Sequence, residues 1–218
     1  MNFKKNKLYI ENIEAKNIAK KFGTPSYCYS FNKLKKNIQN FKNNFKSINP
    51  LICFSVKSNS NIQILKEIKR FGIGADVVSK GELLIALKAG INPKKIVFSG
   101  IGKTFDEIKF AIEKNILLIN AESESEINEI EKIAKNKNKK INIGIRLNPN
   151  INAKTLKKIS TGKNEDKFGI EELNFLKILK KLKNSKYLNI ICLSVHIGSQ
   201  ITDYRPYEKM ITVVDKII

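Results

Sequence analysis

The sequence predicts an α/β fold built on a parallel sheet, an incomplete (β/α)8 barrel. Three observations lead there. Short β-branched runs alternate with amphipathic helical stretches six times in succession. The first strand-like run leads into KSNSN, with no GxGxxG turn, so a doubly wound nucleotide-binding sheet lacks its fingerprint. The length, 218 residues, suits one α/β barrel of about 200 to 250 residues.

The elements follow in order. Residues 1–50 hold an opening segment, a helix over Ile13–Phe22, a turn at Gly23–Pro25, a short strand Ser26–Ser30 and a helix near Leu34–Phe45. The six strands are Leu51–Lys57, Gly74–Ser79, Ile96–Gly100, Leu117–Ser123, Ile141–Asn148 and Ile190–Gly198. The helices are Asn61–Phe71, Lys80–Ala89, Thr104–Asn115, Glu124–Asn136, Glu171–Leu182 and Tyr204–Ile218. Their apolar residues recur on one face, as at Ile62, Leu65 and Ile68, and at Ile127, Ile130, Ile133 and Ala134. The last helix puts Ile211, Val214 and Ile218 on one face and stops without a capping residue. With six of eight βα units, the chain reads as the N-terminal part of a longer protein.

Composition excludes several function classes. The formal charge is +21, but lysine supplies 38 of 41 basic residues and the arginines are Arg70, Arg146 and Arg205. Arginine is the better planar reader of phosphate and guanine. The scattered lysines, mixed with Asn and Ile, read as a solvated surface and not a nucleic-acid face. No apolar run reaches the roughly 18 residues of a membrane span, and the basic start lacks a signal-peptide h-region. Cys28, Cys53 and Cys192 are odd in number and widely spaced. They read as free thiols, the latter two buried in strands, which suits a cytoplasmic protein. His196 is the sole histidine, so a multi-histidine metal site is excluded and no metal is expected.

A barrel places its chemistry at the C-terminal ends of its strands. Those ends carry Lys57; Asp76 with Ser79-Lys80-Gly81-Glu82; Ser99-Gly100; Asn120-Ala121-Glu122-Ser123; Arg146-Leu147-Asn148; and His196-Ile197-Gly198-Ser199-Gln200. Lys57 closes the apolar run LICFSVK. A lysine at a buried strand end is partly desolvated, which favours the neutral amine, and a neutral amine forms a Schiff base with an aldehyde. Each residue taken alone has a plainer reading. Lys57 would snorkel, His196 would be structural, Arg146 would pair with a carboxylate and Asp76 would cap a turn.

The order of blocks decides between these readings. ICFSVKSNSN, GIGADVVSKGEL, AGINPKKIVFSGIGKTFDEI, INAESESEINEI, IGIRLNPN, ISTGKNEDKFGI and SVHIGSQI resemble the diaminopimelate decarboxylase family. That family belongs to the alanine-racemase-like (fold-type III) decarboxylases, which use pyridoxal 5′-phosphate. The resemblance covers roughly residues 20–218. The lysine block is shared with ornithine and arginine decarboxylases, whereas ISTG, KFGI and HIGSQI together point to the diaminopimelate branch.

The resemblance implies decarboxylation of meso-2,6-diaminopimelate to L-lysine and CO2. Lys57 matches the lysine that holds the cofactor covalently, and His196 the histidine that stacks on its ring. Ser199 matches a serine that helps bind the cofactor phosphate. Asp76 and Arg146 match residues of the cofactor pocket, and Glu82 is a further candidate. It also implies a division into residues 1–30, which would contact a C-terminal β domain, and 31–218, the pyridoxal-binding barrel. A homodimer is expected for the full-length parent, with the phosphate loop, pyridine-nitrogen partner and proton-donating cysteine beyond Ile218. On that reading residues 1–218 alone are inactive. The sequence departs from the common pattern at Ser55 and Ser58, where alanines are usual, at Leu156, where a histidine is common, and at Ser194-Val195 before the histidine. The rival readings are an ornithine-, arginine- or carboxynorspermidine-type decarboxylase and a non-catalytic pyridoxal-binding barrel protein.

Overall fold

The computed structural model describes residues 2–153, 155, 161–162 and 168–218. Leu156, Ile159 and Ser160 of the ISTG block, and Lys167 of KFGI, lie outside the described residues. The chain divides into two compact units, Met1–Ile52 and Cys53–Ile218.

The first unit opens with a three-stranded antiparallel sheet that the sequence reading left as an undefined segment. Its strands are β1 (Asn2–Lys4), β2 (Lys7–Ile10) and β3 (Ile13–Glu14). Lys5 and Asn6 join the first two with φ of +48° and +59°. Left-handed residues at both positions give a two-residue turn the twist that paired strands need. Helices α1 (Ala15–Phe22) and α2 (Phe31–Asn44) follow. The expected strand at Ser26–Ser30 is not formed. Its last residue is engaged otherwise: the Ser30 hydroxyl caps α2 and also donates to the Glu11 carboxylate.

The second unit carries a parallel sheet. Its strands are β4 (Cys53–Ser55), β5 (Gly74–Val77), β6 (Ile96–Phe98), β7 (Leu118–Ala121), β8 (Ile141–Asn148) and β10 (Leu188–Val195), paired in that order. The two-residue β9 (Ile170–Glu171), absent from the sequence reading, pairs with the end of β8. The intervening helices are α3 (Ile62–Arg70), α4 (Lys80–Lys88), α5 (Phe105–Glu113), α6 (Glu124–Asn136) and α7 (Glu172–Leu182), and α8 (Arg205–Asp215) follows β10. The strand order follows the chain with no reversal. Right-handed crossovers then put every helix on one face, the winding of a barrel and not of a doubly wound sheet. The six path strands are two short of the eight that close such a barrel.

Burial follows this order. Inner strands such as β7 are buried throughout, whereas β4 and β10, at the two ends of the path, are only partly covered. Cys53 and Cys192 lie on those end strands, so the expected full burial is not reached; both thiols are free and half-buried. The helices present the expected faces, with Leu65 and Ile68 of α3 and Ile127, Ile130 and Ile133 of α6 in the core. Helix α8 differs. Its Met210 and Val213 pack on a cluster of Ile151, Ala153 and Ile197, while Ile211 and Ile218 are exposed. Two apolar stripes fit the helical period there, and packing selected the other one.

Gly74 marks a close approach of strands. A Cβ there would collide with the Lys95 carbonyl and the Cys53 sulfur. Gly74→Ala is expected to cost about 1–3 kcal/mol in urea unfolding.

Candidate active site

Four successive βα turns end in a residue whose side chain caps the next helix: Asn61, Ser79, Thr104 and Ser123. In three of them a glutamate follows at the third helical position, the S/T-x-x-E pattern of a capping box. Glu82 accepts from Val78 N–H, Glu107 from Thr104 N–H, and Glu126 from Glu122 N–H. These contacts pin the C-terminal ends of the strands. They also assign Glu82, a sequence candidate for the site: its carboxylate is spent on the backbone, and it does not line the cavity described next.

A cavity of about 630 Å3 opens at those strand ends. Lys57, Asp76, Arg146, His196 and Ser199 all line it. Of 38 lysines in the chain, Lys57 is the one among these lining residues. It does not end a strand, as expected. Strand β4 stops at Ser55, and a 3-10 turn over Val56–Ser58 lifts Lys57 out of the sheet. Val56 is buried and Lys57 is exposed, so the expected desolvation of the amine is not what the structure shows.

Two hydrogen-bonded chains cross the cavity wall. The first joins Asp76 to Ser55, Ser99 and Asn120, to which sequence reasoning gave no role in the site. Ser55 Oγ and Ser99 Oγ donate to Asp76 at 3.4 and 2.5 Å, and Asn120 Nδ2 donates to Ser99 Oγ at 3.0 Å. Asp76 therefore bridges neighbouring strands and caps no turn. Burial pushes its carboxyl above the usual aspartate value, opposed first by the Ser99 hydrogen bond and then by the Lys57 charge. Asn120 is buried, and its Oδ1 has no partner among the described residues. Gly144, opposite it on β8, supplies the room, because a Cβ there would strike that oxygen.

The second chain is built on a buried ion pair. Arg146 Nη1 donates to both oxygens of Glu122 at 2.9 Å, and both residues are over 90% buried. Gly100 N–H donates to the same carboxylate at 3.1 Å. Arg146 Nη2 reaches the His196 carbonyl at 3.3 Å, and Thr161 Oγ1 donates to that carbonyl at 2.8 Å. The Phe168 ring covers the guanidinium, 4.9 Å from its centre. Thr155 Oγ1 donates to the Ser199 carbonyl at 2.7 Å.

These contacts explain the sequence blocks. Thr161 and Gly162 of ISTG meet the histidine segment, and Gly162 has no space for a Cβ beside Ile197. Gly169 of KFGI, at φ +76°, passes as close to the β8 backbone. The signals that could have found Glu122 and Asn120 are their strand-end position and the capping glutamate after them.

His196 is accessible from the mouth, yet its ring is partly desolvated. Burial first, then the charges of Arg146 and Lys57, hold its pKa below the ordinary 6.5. The ring is thus favoured neutral. The lining set combines one primary amine, one imidazole, one half-buried carboxylate and several hydroxyls. That set fits an aldehyde-bearing aromatic cofactor: Lys57 could hold the aldehyde carbon, His196 could lie against a ring, and Ser199 could reach an anionic group.

The fold and the wall of this cavity are those of a cofactor-binding barrel, and comparison with known proteins narrows the class. Residues 31–218 match the pyridoxal-binding domain of the pyridoxal-dependent decarboxylases. The chain belongs to that family. It is similar to diaminopimelate decarboxylase of Helicobacter pylori strain J99, 47% identical over 196 residues, covering 90% of this chain and 48% of that protein. The corresponding protein of Campylobacter jejuni is 42% identical over 206 residues, covering 94% and 51%. The crystal structure of diaminopimelate decarboxylase from M. jannaschii in complex with L-lysine superposes with a TM-score of 0.92 at 36% identity, covering all of this chain and 52% of that one. The chain spans about half the length of the curated relatives it matches.

The depressed His196 pKa has a consequence for stability. The unfolded chain binds a proton near pH 6.5 and the folded one only at lower pH. The contribution is therefore complete above about pH 6.5 and is lost as pH falls through the folded value. Urea unfolding at a series of pH values should show this loss as pH falls below about 6.5. His196→Asn should flatten that part of the profile, and NMR titration of the single imidazole should give a pKa below 6.5.

Proposed function

We propose that this chain is the pyridoxal-binding part of a decarboxylase that converts meso-2,6-diaminopimelate to L-lysine and CO2. The observation that carries the reading is Lys57, the one lysine among the described residues lining the cavity, in a chain of the pyridoxal-dependent decarboxylase family. When bound, pyridoxal 5′-phosphate supplies an electron sink for the pair left behind as a carboxylate departs. The roles of the protein are to bind and to orient. Lys57 would hold the cofactor through its amine. His196, favoured neutral, would help hold the cofactor ring without adding a charge beside Lys57. Ser199 takes part in holding the phosphate. Asp76 keeps a negative or proton-bearing group close to Lys57, with Ser55 and Ser99 setting its orientation. Arg146, paired with Glu122, acts on the backbone of His196.

The same reading extends to the rest of the protein. Residues 1–30 contact a C-terminal β domain, the protein works as a homodimer in the cytoplasm, and its partner molecule is a small amino acid. The L-lysine bound to the M. jannaschii relative supports diaminopimelate as substrate over ornithine or arginine.

The test uses the full-length protein that carries this chain. Borohydride reduction with pyridoxal 5′-phosphate, followed by peptide mass mapping, should label Lys57, and Lys57→Ala should lose both the label and turnover. CO2 release should be fastest with meso-diaminopimelate in a panel that includes ornithine and arginine. A label on another lysine, or preference for a different amino acid, would overturn the assignment.

A further inference from the structure

The SGIGK segment after β6 has no part in the chemistry above, yet it holds the most deeply buried ammonium group described. The Lys103 side chain is 1% exposed. Its Nζ donates to the carbonyls of Gly100 and Asn120 at 2.5 and 2.7 Å and to Glu126 Oε1 at 2.6 Å. All three protons of the ammonium are thereby used. Positive φ at Gly100 and Gly102, +94° and +73°, turns the chain so that Lys103 reaches back to the carbonyl three residues before it. Neither Lys103 nor Glu126 lines the Lys57 cavity.

Both nevertheless end on Glu122. The second oxygen of Glu126 accepts the Glu122 N–H at 2.9 Å. Lys103 grips the Gly100 carbonyl, while the Gly100 N–H donates to the Glu122 carboxylate. Glu122 is thus held at its backbone by one end of the Lys103–Glu126 pair and at its carboxylate by the other. Glu122 holds Arg146, and Arg146 holds the His196 carbonyl.

A buried ion pair is a weak stabiliser, since desolvating its charges offsets much of their attraction. The connectivity here points to position. We propose that Lys103, with Glu126, is a positioning residue for the cofactor site, acting through Glu122 and Arg146 on the backbone of His196. The proposal rests on the pyridoxal reading for its function but not for its geometry.

A double-mutant cycle in the full-length protein separates positioning from plain stability. Lys103→Met should raise the dissociation constant for pyridoxal 5′-phosphate at least tenfold. In an Arg146→Met background the same substitution should change it less than threefold, because the path is already cut. In the cofactor-free protein, Lys103→Met should speed hydrogen exchange at the Gly100 and Ile197 amides at least tenfold, with the Ile197 effect lost in the Arg146→Met background. Additive penalties, or unchanged exchange at Ile197, would overturn the proposal. Should Lys103→Met not fold, the charge-free pair Lys103→Met/Glu126→Gln takes its place in the same cycle. If the wild type binds no pyridoxal 5′-phosphate, the functional reading fails, and the exchange measurement still decides the positioning claim.

Discussion

Glu122 and Arg146 meet where almost no water reaches, and much of the cavity wall is arranged around that meeting. Neither charge could stand there alone: removing one partner of such a pair costs about 3–5 kcal/mol, because the other is left buried and unpaired. The pair joins the residue just after β7 to strand β8, and what surrounds it is committed to it. The turn after β6 gives it the Gly100 N–H. The ring of Phe168 covers it. The His196 carbonyl uses a guanidinium proton that Glu122 does not. The two charges offset one another in part, and the Arg146 charge is still felt at His196.

Lysine is the commonest basic residue in this chain, and its context decides what each copy does. Most are solvated. Lys57 stands on a turn at the mouth of a cavity, where an amine is accessible to a ligand. Lys103 is enclosed, with every proton donated, and is unavailable for chemistry of its own. Burial, usually taken as the mark of a reactive lysine, here marks the structural one.

The capping glutamates show how one local device serves two ends. Glu82, Glu107 and Glu126 each satisfy backbone donors at a helix start, as their spacing from Ser79, Thr104 and Ser123 implies. In the barrel winding those helix starts are also the strand ends that face the cavity. A carboxylate near the site is therefore not by that fact a member of it. Glu82 looked like a candidate in the sequence and is a cap; Glu122 looked like one acidic residue among several and is half of the central ion pair.

Alternation of β-branched and amphipathic stretches was enough to read the parallel sheet, the six strands of its path and the inward faces of α3 and α6, because periodicity records which side of an element meets the core. That Asp76, Arg146, His196 and Ser199 gather near the strand ends was legible for the same reason, whereas Lys57 sits on the turn after β4 and not at its end. Register and packing were not. The Ser55–Asp76–Ser99–Asn120 chain depends on which residues of separate strands lie side by side. The inward stripe of α8 depends on the Ile151–Ala153–Ile197 cluster. The turn that lifts Lys57 depends on where β4 loses its neighbour. Each is a contact between segments far apart in the chain, and a one-dimensional pattern carries no term for what an element will touch.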